Sequence, residues 1–395
     1  MKRIPVAMLI LGWLAGCTTP TVSEAKQQAH ERWYRTRANI VYGVAMEHFK
    51  VGQLDRAQAK AMEALALDDT YPEARLLLGK IHIEQERFQL AIAELTQLRE
   101  TFPQSAEVHY LLGVAQEKAG LLDDALVSYR RCQALDGSNM PAVIAAAEVL
   151  VGQGQIREAQ LYVESYVSVA DGEVGVFELA GRLAMMQNDY AKAAERYQQA
   201  CDLDTANLAY LESLAKTQFF AGRYEEAAEN LKMLLASADY TPGTWVYTML
   251  GDCDMAMDRP RQAQDAYYKA TEASPESAGA WVNLAKPALL LKDWARAILA
   301  ARRALALDPT MLDATLLLGY ALLLDGQTDG SLSVLAEAGK QHPDSAELQC
   351  LLGRAHAAAG NAAEAMRCYA AALRITPDHP VAKELLAAAG TQAMR

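Results

Sequence analysis

Seven histidines and six cysteines are the side chains of this chain best suited to metal binding or nucleophilic chemistry. A metal ion needs several such ligands at close spacing, and a nucleophile needs a base within reach. His30, His48, His82, His109, His342, His356 and His379 are dispersed, none at ligand spacing from another His or a Cys. Asp202-Leu203-Asp204 lacks the further oxygen ligands and central Gly of a calcium loop. No HExxH, GxxxxGK, GxSxG or GxGxxG motif occurs. Cys132, Cys201, Cys253, Cys350 and Cys368 contain no CxxC pair and read as small buried apolar residues, with Cys350 and Cys368 able to meet within one hairpin. Catalytic residues, metals and cofactors are therefore not expected.

The sixth cysteine has a different setting. Lys2 and Arg3 precede an apolar run over residues 6–14, which ends in Leu14-Ala15-Gly16-Cys17. The run is far short of the roughly 20 residues that span a bilayer but has the length of a signal-peptide core. This segment resembles the lipobox of bacterial lipoproteins, in which the cysteine is lipidated and becomes the mature N-terminus. The resemblance implies that residues 1–16 are a signal peptide and that a lipid on Cys17 holds the protein to the cell envelope, facing the periplasm. Thr18 stands where Asp would favour the inner membrane, so in a Gram-negative cell the resemblance favours the outer membrane. Residues 17–37 then form a linker and a polar helix extension containing Glu24, Lys26, Glu31, Arg32, Arg35 and Arg37. The formal net charge is −12. No lysine- or arginine-rich run offers the basic stripe that displaces counterions from nucleic acid, so that partner is not expected.

The elements that would carry any binding residue show in the periodicity. A small residue, Gly or Ala, stands at 45, 79, 113, 147, 181 and 215, and the series resumes after a two-residue insertion at 251, 285, 319 and 353. Twelve positions beyond these markers come Ala57, Ala91, Ala125, Ala159, Ala193, Ala227, Ala263, Ala297 and Ala365, broken by Ser331. Tyr129, Tyr197, Tyr267 and Tyr369 follow four positions later, and Gly52, Gly120, Gly154, Gly222, Gly326 and Gly360 mark a turn. Pro103, Pro275, Pro309, Pro343 and Pro377 close five of the units. Abundant Ala and Leu with sparse Pro and Gly favour helices. Units of this size cannot bury an apolar face alone and must stack.

These columns resemble the tetratricopeptide repeat. Trp281-Val282-Asn283-Leu284-Ala285 and Leu112-Gly113 match its start, and Ala365-Met366-Arg367-Cys368-Tyr369 and Leu307-Asp308-Pro309 its second half. The resemblance covers residues 38–379 and implies an all-α fold, a right-handed α-solenoid of about ten helical hairpins. Hairpins one to six then occupy residues 38–241, hairpins seven to ten 244–379, and a capping helix 380–395. Three irregularities interrupt the pattern: the insertion within Ser237–Gly243, Gly172 with Gly175, and Pro287, which is expected to kink its helix. Residues 237–290 are a candidate seam between two arms.

In that family the first helix of each hairpin lines a concave, ligand-facing groove. The resemblance thus places the residue after each marker there, namely Met46, Lys80, Val114, Glu148, Arg182, Lys216, Asp252, Lys286, Tyr320 and Arg354. Tyr42, Phe49, Tyr110, Glu178, Met185, Glu212 and Phe219 share that face through helical periodicity. The groove reads as aromatic at its start and charged in its middle. Arg182, Lys216 and Lys286 suit an acidic or carboxylate-ended peptide, whereas Glu178 with Arg182 and Glu212 with Lys216 are also i,i+4 pairs able to support their own helices. Phe49, Phe219 and Met255 fit equally as ligand anchors or as core. Asn283 and Lys286 touch the Lys and Asn clamp of a chaperone-binding subfamily, but Glu212, Ser213 and Thr248 depart from it in the preceding hairpins.

The expected function is a non-catalytic protein-binding scaffold on the envelope, supporting a multiprotein complex such as a pilus, a secretion apparatus or a polysaccharide exporter. Its partner would be an envelope protein or peptide segment. The alternatives are an adaptor or regulator of a cell-wall enzyme and, from a different class, a binder of glycans or small ligands.

Overall fold

Regularly spaced small residues let paired helices approach, and the chain folds as a succession of such pairs. The computed structural model describes residues 22–393, the side chains of 389–393 excepted; the signal segment 1–16, Cys17 and the linker to residue 21 lie outside the described residues. The chain divides into two compact units, the boundary lying between Asp171 and Gly172.

The first unit holds four hairpins: α1 (Val22–Lys50) with α2 (Leu54–Leu67), α3 (Pro72–Glu84) with α4 (Phe88–Thr101), α5 (Ala106–Lys118) with α6 (Leu122–Leu135), and α7 (Met140–Gly152) with α8 (Ile156–Glu164). At 29 residues α1 is more than twice the length of α3, α5 or α7, which have 13 each. The unit ends in the short α8 and a 3-10 turn over Val167–Val169.

The second unit continues with α9 (Val174–Met186) and α10 (Tyr190–Leu203), α11 (Leu208–Phe220) and α12 (Tyr224–Ala236), and α13 (Thr244–Ala256) and α14 (Pro260–Ala273). Then come α15 (Ala278–Leu290) and α16 (Trp294–Leu307), α17 (Leu312–Leu324) and α18 (Thr328–Gln341), α19 (Ala346–Ala358) and α20 (Ala362–Ile375), and finally α21 (Pro380–Ala393). The described residues thus form ten hairpins and a terminal helix, the all-α repeat fold expected from the periodicity.

The unit boundary at Asp171–Gly172 lies outside the candidate seam at residues 237–290. Across that insertion the core is continuous, with Leu231 and Leu234 clustered with Val246 and Leu250. The boundary instead follows the shortened α8. Pro287 is accommodated inside α15, which continues to Leu290; its ring removes the bond to the Asn283 carbonyl while its side chain is buried. Cys350 and Cys368 are both free thiols, so no bridge ties that hairpin.

The marker column meets the residue sixteen positions later, on the second helix. A Cβ added to Gly79 would lie 2.7 Å from Leu95, one added to Gly113 would lie 2.6 Å from Tyr129, and one added to Gly251 would lie 2.5 Å from Tyr267. Gly181 faces Tyr197 and Gly353 faces Tyr369 in the same way. The tyrosines of this column stand opposite glycine, whereas the Ala markers 45, 147, 215 and 285 stand sixteen residues before Ala61, Val163, Leu231 and Ala301. The two columns trade volume to keep the helices at contact distance.

One position along, the interior is polar. Gln116 and Ser128 lie 2.6 Å apart, and Asn230 donates to Gln218 at 2.7 Å. Asp254 is 2% exposed. The Gln116–Ser128 and Gln218–Asn230 bonds cross-link the two helices of a hairpin, whereas Oδ1 of Asp254 is buried without a hydrogen-bond partner, at a cost in free energy.

We expect Gly113→Ala to destabilise the protein by about 1–3 kcal/mol through overpacking against Tyr129. Adding Tyr129→Leu, which recreates the Ala215–Leu231 combination, should recover at least about 1 kcal/mol in a urea-denaturation double-mutant cycle. Strict additivity of the two changes would exclude the volume exchange.

Candidate protein-interaction surface

The first helices α1, α3, α5 and α7 in one unit, and α9, α11, α13, α15, α17 and α19 in the other, carry the residues assigned to the groove. In the first unit the apolar members are half-buried. Met46 and Phe49 pack on the cluster of Ala57, Ala61, Leu77 and Ile81, so much of each side chain fills the space between hairpins. Tyr42 meets Tyr71 edge-on at 5.5 Å, and the Tyr71 hydroxyl donates to Asn39 at 2.9 Å. Tyr110 lies against Tyr129, with ring centroids 6.0 Å apart. Lys80 reaches from α3 to Glu107 on α5 at 2.6 Å.

The second unit carries most of the charged members. Arg182 lies 4.0 Å from Glu178, and Lys286 donates to Asn283 at 3.1 Å. Lys216 pairs with Glu212 and also stands 4.2 Å above the Trp245 ring. Tyr240 donates to the other Glu212 oxygen at 3.3 Å. Burial and the Glu212 charge push the Tyr240 hydroxyl up to about 12, so it remains a donor at neutral pH. Asp252 accepts from Tyr267 at 2.6 Å and is thereby tied to its own hairpin. Met185 packs beside Tyr197 and Leu214, and Phe219 meets Phe220 and Tyr224 edge-on at 5.5 and 5.6 Å. Met255 joins the cluster of Tyr267 and Leu284. Arg354 stacks over Tyr320 at 5.0 Å, and with Leu316, Leu317, Glu347 and Leu351 these two line a shallow groove between α17 and α19.

Two associations emerge that periodicity alone did not indicate. Tyr240 lies within the insertion and Trp245 one residue into α13, and both close over the Glu212–Lys216 pair of α11. The insertion breaks the 34-residue register here, so no column marked either residue. Tyr320 and Arg354 occupy the same column one repeat apart, and the structure stacks them as neighbours.

The buried thiols have little nucleophilic character. Burial pushes Cys132 and Cys201 up to about 11 and Cys253 up to about 12, leaving them protonated at neutral pH. Among the described residues no three His, Cys, Asp or Glu side chains stand close enough to hold a metal ion.

Ten two-helix units on a common period, with paired charges and half-buried aromatics along their first helices, define a helical-repeat protein. Family models described as "Tetratricopeptide repeat" match residues 48–115, 288–349 and 322–389 in one case and 144–207, 178–242 and 248–311 in the other. The chain belongs to the tetratricopeptide repeat family. It is 22% identical to tetratricopeptide repeat protein 21A of Mus musculus over 65% of this chain and 21% of that protein. It is 29% identical to ER membrane protein complex subunit 2 of Xenopus tropicalis over 35% of this chain and 47% of that one. The chain therefore spans about a fifth to a half of the length of these curated relatives. A tetratricopeptide repeat protein from Parabacteroides merdae ATCC 43184 aligns with 64% of this chain and 98% of its own, at 15% identity and a TM-score of 0.42. A MamA protein aligns with 44% of this chain and 94% of its own, at 22% identity and a TM-score of 0.41.

Two buried histidines on these first helices couple the stability of the fold to pH. His82 and His109 are 5% and 7% exposed, and burial lowers both below the ordinary histidine value of 6.5. The unfolded chain therefore takes up protons first, and their contribution to stability, complete above about pH 6.5, falls as pH drops through that value. Asp254, raised by burial, has the opposite sign and favours the fold on acidification. Urea midpoints at pH 7.5 and 5.5 should differ less in a His82→Gln, His109→Gln double variant than in the parent. An unchanged difference would show that neither histidine controls acid sensitivity.

Proposed function

We propose that this protein is a non-catalytic binding scaffold, tethered by a lipid on Cys17 to the bacterial envelope, that holds segments of other envelope proteins during assembly of a multiprotein complex. The observation that carries the binding role is the groove between α17 and α19, where Tyr320 and Arg354 stack among Leu316, Leu317 and Leu351. A peptide segment can place an apolar side chain against the leucines and a carboxylate on the Arg354 guanidinium, which is suited to bidentate pairing. Tetratricopeptide repeats act as protein-interaction scaffolds, and this reading follows that role.

The mid-array cations are reserved in part for the fold. Lys216 is held by Glu212 and Trp245, and Lys286 by Asn283, so a ligand there would compete with existing partners. This favours the Tyr320–Arg354 groove as the principal docking position. The tether rests on Leu14-Ala15-Gly16-Cys17 following the apolar segment, and the choice of outer over inner membrane rests on Thr18. A pilus, a secretion apparatus or a polysaccharide exporter each needs a protein that holds others without altering them.

Tagged full-length protein recovered from detergent-solubilised envelopes should carry a defined set of envelope proteins. Arg354→Glu with Leu316→Ala should deplete that set at least about tenfold, a loss of roughly 1.4 kcal/mol or more in affinity. An unchanged set would move the docking site away from this groove. Cys17→Ser should leave the fold intact by circular dichroism but release the protein from membranes; retention in the membrane fraction would refute the lipid tether.

A further inference from the structure

The insertion within Ser237–Gly243 is the one break in the spacing of the marker column, and it brings two aromatic side chains to the first-helix surface. Tyr240 lies within it, and Trp245 follows at the start of α13. Both rings pack on the cluster of Leu231, Leu234, Val246 and Leu250. Gly243 leaves room for the indole, since a Cβ there would lie 3.3 Å from the Trp245 ring. With Glu212 of α11 the two rings form a half-open cage. One Glu212 oxygen accepts from the Tyr240 hydroxyl at 3.3 Å, and the other accepts from Lys216. The Lys216 ammonium stands 4.2 Å above the Trp245 ring. A carboxylate beside the face of a tryptophan is an arrangement that holds a cation, and here the chain fills it with its own.

Walls and occupant are held differently. Tyr240 orients Glu212 without help from Lys216, and Trp245 is seated by its apolar neighbours. Lys216 ends a flexible four-carbon stem, and its side chain is 35% exposed, so it can leave to water with the walls standing. Glu178 and Asp252 take the matching positions of the repeats on either side. With Lys216 withdrawn, Glu178, Glu212 and Asp252 outnumber Arg182 along this stretch of α9, α11 and α13. That excess repels an incoming carboxylate and draws a cation.

We propose that Glu212, Tyr240 and Trp245 form a binding site for a basic side chain of a partner protein, arginine in preference to lysine, and that Lys216 is a tethered plug which this side chain displaces. A guanidinium is less strongly hydrated than an ammonium, stacks flat on an indole and can donate to Glu212 at the same time. The plug lowers the affinity of the closed site, because every ligand competes with a cation held on the same chain. Lys216 then has a role opposite to that of receiving an acidic peptide. The site is separate from the Tyr320–Arg354 groove and adds a second, oppositely charged contact to the surface.

Titration of the full-length protein in mild detergent with an acetylated, amidated Gly-Arg-Gly peptide, followed by ligand-observed NMR, tests the site. Lys216→Ala should keep the circular dichroism of the parent and bind this peptide at least about tenfold more tightly. Lys216→Gln, which retains a polar stem, gives the same comparison if alanine disturbs the hairpin. Adding Glu212→Gln or Trp245→Leu to the opened variant should weaken binding about tenfold or more. The matching Gly-Glu-Gly peptide should bind every variant less tightly than the arginine peptide. Arg354→Glu disables the groove and should leave the affinity for the arginine peptide within about twofold, so the two sites fail separately. Absence of any gain on removing Lys216 would overturn the proposal. So would a loss of stability without a gain in binding, since Lys216 would then be only a tie between α11 and α13. A parent that prefers the glutamate peptide would overturn it as well, with Lys216 the receptor of an anion.

Discussion

Each hairpin depends on one short-range contact, between the marker residue of its first helix and the side chain sixteen positions later on its second. Packing near crystal density leaves no slack there. Where the second helix offers Tyr129, Tyr197, Tyr267 or Tyr369, the first must offer glycine; where it offers Ala61, Val163 or Ala301, alanine suffices. The combined volume is held within limits, and the helix separation is held with it. A tyrosine in this column also places its hydroxyl where a first-helix carboxylate can accept, as Tyr129 does with Glu117 and Tyr267 with Asp252. The same contact therefore sets the spacing of the helices and orients a polar group on the surface.

The electrostatics follow from that spacing. Neighbouring first helices stand close enough for Lys80 to reach Glu107, and positions four apart on one helix close Glu212 on Lys216. In a chain of net charge −12 the cations are thus drawn into local pairs, with little left to form a continuous basic surface. What stays available along the first helices is the half-buried apolar and aromatic area between these pairs. This is the kind of surface on which a peptide segment gains affinity from a few well-packed side chains.

The hairpins and their turns were legible because they are written in local spacing. A positive-φ turn takes Gly52, Gly120, Gly154, Gly222, Gly326 and Gly360, and where glycine is missing Glu86, Asn188, Asp258 and Lys292 adopt the same conformation. The glycine–tyrosine exchange was also present in the columns, and its meaning needed only the distance between them. The groove assignment was less complete. Periodicity puts Phe49, Met185 and Phe219 on the side of the helix shared by ligand and neighbouring hairpin, and it cannot divide one side chain between the two. Tyr240 and Trp245 escaped because the insertion moves them out of every column. The compact units divide at Asp171, where α8 is short, although the insertion at 237–243 is the larger disturbance of the pattern.

The amino-acid sequence by itself therefore determined the family and the all-α hairpin fold, since the marker columns recur at a fixed period and each hairpin joins residues fewer than about twenty positions apart. Tertiary structure decided which polar groups pair across repeats. Glu212 meets Tyr240 from 28 residues away, and Lys216 meets a tryptophan of the next hairpin. It also decided which copy of a repeated position is covered: Leu78 and Leu112 are buried, whereas Val44, in the same column, faces outward. The physical reason is that burial belongs to the neighbour as much as to the residue, and a repeating sequence states the residue many times without stating where the neighbours end.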